Sequence, residues 1–205
     1  MHYVEINMKT YPRKSHFEHF NSLANPYASV TVSLDITAFL QTIKKEGSPF
    51  FLRFLYEVAG AADSVPAFRQ RIINGKIIEF PYCTTSHTVM KEDGTFAYCH
   101  LHPHQPLDSY LPEAIKKQKD AKENGNIHDD ADILHAYFVS CIPWFSFTAI
   151  TQSTPIPADS NPRFAWGKYE EEQGKIKLPF SVQFNHALMD GRHIGLFLDA
   201  LHARL

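Results

Sequence analysis

Apolar and polar positions follow two rhythms along this chain, and the changes of rhythm mark the predicted elements. After Pro12, a residue suited to the first turn of a helix, His16, Phe17, Phe20 and Leu23 recur at helical spacing. Val30 and Val32 alternate with polar neighbours and predict a strand. Asp35 is placed to cap a helix that carries Phe39, Leu40 and Ile43 and ends near Gly47. Phe50 to Ala62 is apolar almost all round and predicts a buried helix. Arg69 to Ile73 and Lys76 to Phe80 flank Asn74-Gly75, a pair that accepts the positive φ of a tight hairpin turn.

Cys83 to Met90 and Phe96 to Leu101 predict two more strands, turned at Glu92-Asp93-Gly94. Pro112 to Lys122 reads as an amphipathic helix, and the polar run from Lys117 to Asp130 as its end plus a surface loop. Tyr137 to Cys141, Trp144 to Thr151, Phe164 to Tyr169 and Lys177 to His186 read as strands. Ile194, Phe197, Leu198 and Leu201 predict a closing helix. Hairpin-linked strands mixed with helices predict an α/β two-layer sandwich, a mixed, largely antiparallel sheet covered by helices. No repeat or long linker interrupts the 205 residues, which are enough for one well-packed domain spanning 1–205.

Composition narrows the function classes. The chain is 44% hydrophobic and 20% charged, which argues for a packed core. Twenty basic and 22 acidic residues nearly cancel, so nothing points to nucleic acid or an anionic membrane as partner. No apolar run reaches membrane-spanning length, and the first residues lack the apolar core of a secretory signal. Cys83, Cys99 and Cys141 are odd in number and widely spaced, so a cytoplasmic location without disulfides is expected. Cys99-His-Leu-His-Pro-His104 invites a metal reading, but Pro103 breaks the strand and no second ligand cluster accompanies it; no metal is expected. Lys116, Lys117, Lys119 and Lys122 read as a solvated helix face.

The segment richest in chemistry is Leu178-Pro-Phe-Ser-Val-Gln-Phe-Asn-His-Ala-Leu-Met-Asp-Gly-Arg. Alternation puts Phe180, Val182, Phe184 and His186 on one pleat face, so an imidazole ends an apolar row where Asp190-Gly191 turns into a helix. This pattern alone favours the bland reading, with Asp190 an N-cap and His186 a satisfied, half-buried histidine.

Asn185-His186-Ala-Leu-Met-Asp190-Gly191 resembles the His-His-x-x-x-Asp-Gly signature of CoA-dependent acyltransferases. Tyr11-Pro-Arg-Lys-Ser-His-Phe-Glu-His-Phe, Asp35-Ile36-Thr37, Ser140-Cys-Ile-Pro-Trp-Phe-Ser-Phe and Gly167-Lys-Tyr169 resemble, in order and spacing, blocks of the chloramphenicol acetyltransferase family. The resemblance covers nearly the whole chain. It implies transfer of an acetyl group from acetyl-CoA directly to a hydroxyl of a small acceptor, chloramphenicol by default, with no acyl-enzyme.

Residue by residue, it implies that His186 is the general base, a task that suits an imidazole near neutral pH. It implies that Asp190 pairs with Arg13, and that the Ser140 hydroxyl stabilises the oxyanion, with an ordinary strand serine as the alternative. Lys168 and Tyr169 match a pair near the CoA site, and a solvated strand edge is their alternative. Phe20, Phe96 and Ile150 match acceptor-pocket positions; for Phe96 the alternative is ordinary core. A homotrimer with active sites between subunits is also implied. Several positions depart from the family pattern: Asn185 replaces the first motif histidine, Ala165 a threonine near the oxyanion, Phe20 a tyrosine, and Pro49 a lysine near the CoA phosphate. Ile150, Gln152 and the stretch from Asn21 to Tyr27 depart in the acceptor segment. Two other readings therefore stand beside the first: a different hydroxylated acceptor, or a degenerate homologue that binds CoA or a small ligand without turnover.

Overall fold

The structure is a computed structural model and describes residues 2–128 and 133–205. In chain order its elements are β1 (Val4–Glu5), α1 (Lys14–Asn21), β2 (Tyr27–Asp35), α2 (Thr37–Glu46), α3 (Phe50–Asp63), β3 (Gln70–Ile73), β4 (Lys76–Glu79), β5 (Thr84–Met90), β6 (Phe96–Leu101), α4 (Leu107–Asn124), β7 (Ala136–Ile142), β8 (Arg163–Gly167), β9 (Glu170–Glu172), β10 (Lys175–Asn185) and α5 (Gly191–His202). The main sheet runs β2-β10-β8-β7-β5-β6, with β9 paired to β10, and a small sheet runs β1-β4-β3. Among the described residues only the β5–β7 and β7–β8 pairs are parallel, so the sheet is mixed and largely antiparallel, as the patterning predicts.

Register divides the main sheet into two faces. Val182 lies opposite Phe164 and Val30, and Phe164 opposite Val139, so one row of apolar side chains crosses four strands. That face packs on Phe54, Val58, Ile194, Phe197 and Leu201 of α3 and α5 and forms the main core. Stacked rings of Phe68, Phe164, Phe180 and Phe197 sit at its centre. The other face carries Ser181, Gln183 and Asn185 of β10, Ala165 of β8 and Ser140 of β7, and it is crossed by residues 143–162, which join β7 to β8.

Most predicted elements form, with instructive differences. The Asn74-Gly75 turn has φ of 51° and 75°, the left-handed values that fit a right-handed strand twist. The final helix opens on Asp190, whose side chain accepts from the Arg192 N–H. Asp35 stays in β2 but accepts from the Thr37 N–H and hydroxyl, so it supports α2 from one position before the cap, Ile36. Helix α1 ends at Asn21, which leaves Leu23 exposed. Helix α4 starts at Leu107, not Pro112, so Pro112 lies inside the helix, where its missing N–H leaves out one i→i−4 bond. The predicted polar loop through Asp130 lies partly outside the described residues. Among the described residues, no strand forms over Trp144 to Thr151. Pro143 removes a donor there, and Gln183 takes the place of a ladder: its Oε1 accepts from the Gln152 N–H at 2.9 Å and its Nε2 donates to the Gln152 carbonyl at 3.2 Å. Gly167 lets this segment approach, since a Cβ there would stand 2.9 Å from the Phe145 carbonyl oxygen.

Candidate active site

His186 follows the last residue of β10, and its backbone N–H continues the strand pairing by donating to the Pro26 carbonyl at 2.7 Å. Its side chain leans toward the helix layer. The Phe20 ring of α1 lies flat against the imidazole, with centroids 3.9 Å apart and planes within 9°. Phe184 stands 6.0 Å away on the same strand. Nδ1 is buried with no hydrogen-bond partner, while Nε2 remains open. The nitrogen open to an incoming molecule is therefore Nε2.

Asp190 braces this corner. Its Oδ2 pairs with Arg13 Nη1, which joins the start of α1 to the start of α5. Its Oδ1 lies 2.9 Å from His193 Nδ1, and the Asp190 N–H lies 3.2 Å from the same nitrogen. Burial would raise the Asp190 carboxyl, but the hydrogen bond and charge of Arg13, with His193 behind them, hold it at about 2. The His193 contact has a sequence signal, the i, i+3 spacing of a capping box, although His193 was not among the expected site residues.

The remaining expected site residues do not gather around His186 within one chain. Ser140 is level with Ala165, and Ala165 with Ser181. Ser181 precedes His186 by an odd number of residues, so Ser140 and His186 belong to opposite faces of the sheet. They are also separated by roughly 17 Å along the strand direction. Lys168 and Tyr169 lie past the end of β8, level with the start of the buried part of β10, roughly 27 Å from His186. The Tyr169 ring is half exposed and meets Phe50 edge-on at 5.7 Å. Phe96 is exposed on β6, four strand spacings and roughly 19 Å from β10, so it is not core. Ile150 is half-buried on the 143–162 crossover, on Ser140's side of the sheet. Trp144 and Phe145 beside it are 63% and 57% exposed.

Among the described residues no group of three or more His, Cys, Asp or Glu side chains is placed to hold a metal, and no helix is long and apolar enough to cross a membrane.

A mixed sheet with helices on one face and a His-x-x-x-Asp-Gly turn at the end of a buried strand defines a CoA-dependent acyltransferase fold. The solved dihydrolipoamide acetyltransferase of Azotobacter vinelandii shares that fold, with a TM-score of 0.69 over 92% of this chain and 84% of its own, at 18% identity. The chain belongs to the chloramphenicol acetyltransferase family, whose family model matches residues 1–202. A chloramphenicol acetyltransferase of Klebsiella sp. is 32% identical over 203 residues, covering 97% of this chain and 92% of that protein. A solved chloramphenicol acetyltransferase superposes with a TM-score of 0.91 at 25% identity, over 98% of this chain and 99% of that one. By this membership the chain is an acyltransferase.

Proposed function

We propose that this chain transfers an acetyl group from acetyl-CoA to a hydroxyl of chloramphenicol or a similar small alcohol, with His186 as general base. The observation that carries the reading is the His186 imidazole itself: held flat by Phe20, buried at Nδ1 and open at Nε2. With the proton on Nδ1, Nε2 accepts the acceptor's hydroxyl proton as that oxygen adds to the thioester carbonyl carbon. The Ser140 hydroxyl donates to the oxyanion so formed. As the carbon–sulfur bond breaks, His186 returns the proton to the departing thiolate. Arg13 and Asp190 hold the turn that carries the base. Lys168 and Tyr169 are assigned to the CoA nucleotide, as phosphate contact and stacking surface.

The separation of Ser140 from His186 supports a site shared between chains. One copy supplies His186 and Phe20; its neighbour supplies Ser140, Ile150 and Phe96 from the opposite sheet face, and Lys168 and Tyr169 from beyond the end of β8. A homotrimer closes such a head-to-tail contact without free ends. The reading includes a cytoplasmic location, where acetyl-CoA is available.

A second acceptor reading is favoured by one observation. Phe20 stacks on the base instead of offering a hydroxyl, which supports an acceptor other than chloramphenicol. The test is release of CoA thiol from acetyl-CoA with chloramphenicol, for wild type and His186→Ala. Fast release that the substitution abolishes supports the first reading. Release only with other small alcohols supports the second. Release that survives His186→Ala overturns the assignment of the base.

A further inference from the structure

Asn185 stands where the family signature has its first histidine, and its carboxamide joins the His186 turn to the 143–162 crossover of the same chain. It is the last residue of β10, only 2% exposed, and its side chain lies on the sheet face opposite His186. Oδ1 accepts from the Ala187 N–H at 3.0 Å, which closes a turn around the His186 residue. The Asn185 carbonyl accepts from the Leu188 and Met189 N–H groups at 3.1 and 3.2 Å. Nδ2 donates to the Asp159 carbonyl at 3.0 Å. Asp159 is anchored in turn: its carboxylate receives both Arg163 Nη atoms at 2.8 and 2.6 Å and the Tyr27 hydroxyl at 3.0 Å.

We infer that Asn185 is a positioning residue, whose carboxamide fixes the rotation of the His186-bearing turn through the Ala187 N–H, while its other end ties the turn to the 143–162 crossover that carries Ile150. The chemistry of the group suits the task. The Ala187 N–H needs an acceptor and the Asp159 carbonyl needs a donor, and one oriented amide satisfies both at every pH. A neutral imidazole offers the same pair, but a protonated one offers two donors and leaves the Ala187 N–H without its acceptor. An aliphatic side chain would leave two groups unmet. The inference rests on the reading of His186 as base for its catalytic consequence, but the geometric claim does not.

The test compares Asn185→Ala, which removes both bonds, with Asn185→Ser, whose hydroxyl can still accept from the Ala187 N–H while losing the Asp159 bond. His186→Ala serves as reference. The His186 ring is followed by its 13Cε1 resonance, assigned by its loss in His186→Ala, and turnover by CoA thiol release. The expected result is one sharp His186 resonance in wild type and Asn185→Ser, and a split or broadened one in Asn185→Ala. In Asn185→Ala kcat falls about tenfold or more with both KM values within about twofold, and Asn185→Ser recovers most of that loss. A wild-type His186 resonance in Asn185→Ala overturns the inference, whatever the turnover. Equal kcat losses in the two variants, matched by equal losses of Tm, also overturn it by reducing Asn185 to a structural part. Full turnover by His186→Ala beside a perturbed ring in Asn185→Ala sinks the base and leaves the positioning intact.

Discussion

The Phe20 ring and the His186 imidazole lie face to face, 3.9 Å apart and nearly parallel, so an apolar plate from α1 sets the plane of the base. An aromatic pair of this kind contributes about 0.5–1.5 kcal/mol beyond its buried area, enough to select one ring orientation. Phe20→Ala is therefore expected to lower kcat about three- to tenfold, and Phe20→Tyr, which keeps the plate, to hold kcat within about threefold while changing KM for the acceptor. Steady-state kinetics on the two variants decides it. An unchanged kcat in Phe20→Ala would mean that the plate does not orient the base.

Asp190 shapes the same corner through Arg13. Asn keeps the N-cap but not the charge, so Asp190→Asn isolates the ion pair. The pair is partly exposed and therefore screened, and the expected loss of stability is about 1 kcal/mol at pH 7. The folded carboxyl titrates at about 2, below its usual value near 4, so this stability is fully present above pH 4 and disappears as pH falls toward 2. Urea denaturation at pH 7, 4 and 2.5 should show the gap between wild type and variant shrinking. A constant gap would place the loss elsewhere.

Asp63 carries the opposite sign. Burial pushes its carboxyl up to about 6, against hydrogen bonds from the Tyr137 hydroxyl and the Cys83 N–H and the charges of His104 and Arg69. Between about pH 4 and pH 6 the folded chain binds more protons here than the unfolded one, so this contribution falls as pH rises. Asp63→Asn keeps an acceptor for both donors. It is expected to be more stable than wild type by up to roughly 2 kcal/mol at pH 8, with little difference at pH 4. A gain that does not grow with pH would contradict the raised carboxyl.

If Ser140 and His186 act across a boundary between chains, two inactive variants should cure each other. His186→Ala and Ser140→Ala chains, refolded together in equal amounts, are expected to recover about a quarter of wild-type turnover, the share of junctions at which both groups survive. Each variant alone should be slower by about a hundredfold or more. No recovery on mixing would show that the two groups act within one chain, or not together.

Local patterning made much of this legible. The row Phe180, Val182, Phe184 and His186, the Asn74-Gly75 turn and the helix over Phe50 to Ala62 all rest on short-range periodicity, and the structure has them. What patterning missed depends on partners distant in sequence. The strand expected over Trp144 to Thr151 fails because its backbone is bound by a side chain, that of Gln183. The short strands β1 and β9 exist only through β4 and β10 and are too brief to carry a period of their own. Arg13 was tied to Asp190 by resemblance alone, since nothing in either segment announces the other. The separation of Ser140 from His186 follows from cross-strand register, which a single chain's periodicity does not encode.

The 143–162 crossover hangs on the sheet from a few pegs, Gln183 at Gln152 and Asn185 at Asp159, instead of being woven into it. Between the pegs no ladder dictates which side chain points where. Residues such as Ile150 can therefore be exchanged without shifting the strands behind them. That leaves a stretch of chain where selection can rewrite which alcohol is admitted, while the rigid weave of the sheet and its histidine stay as they are.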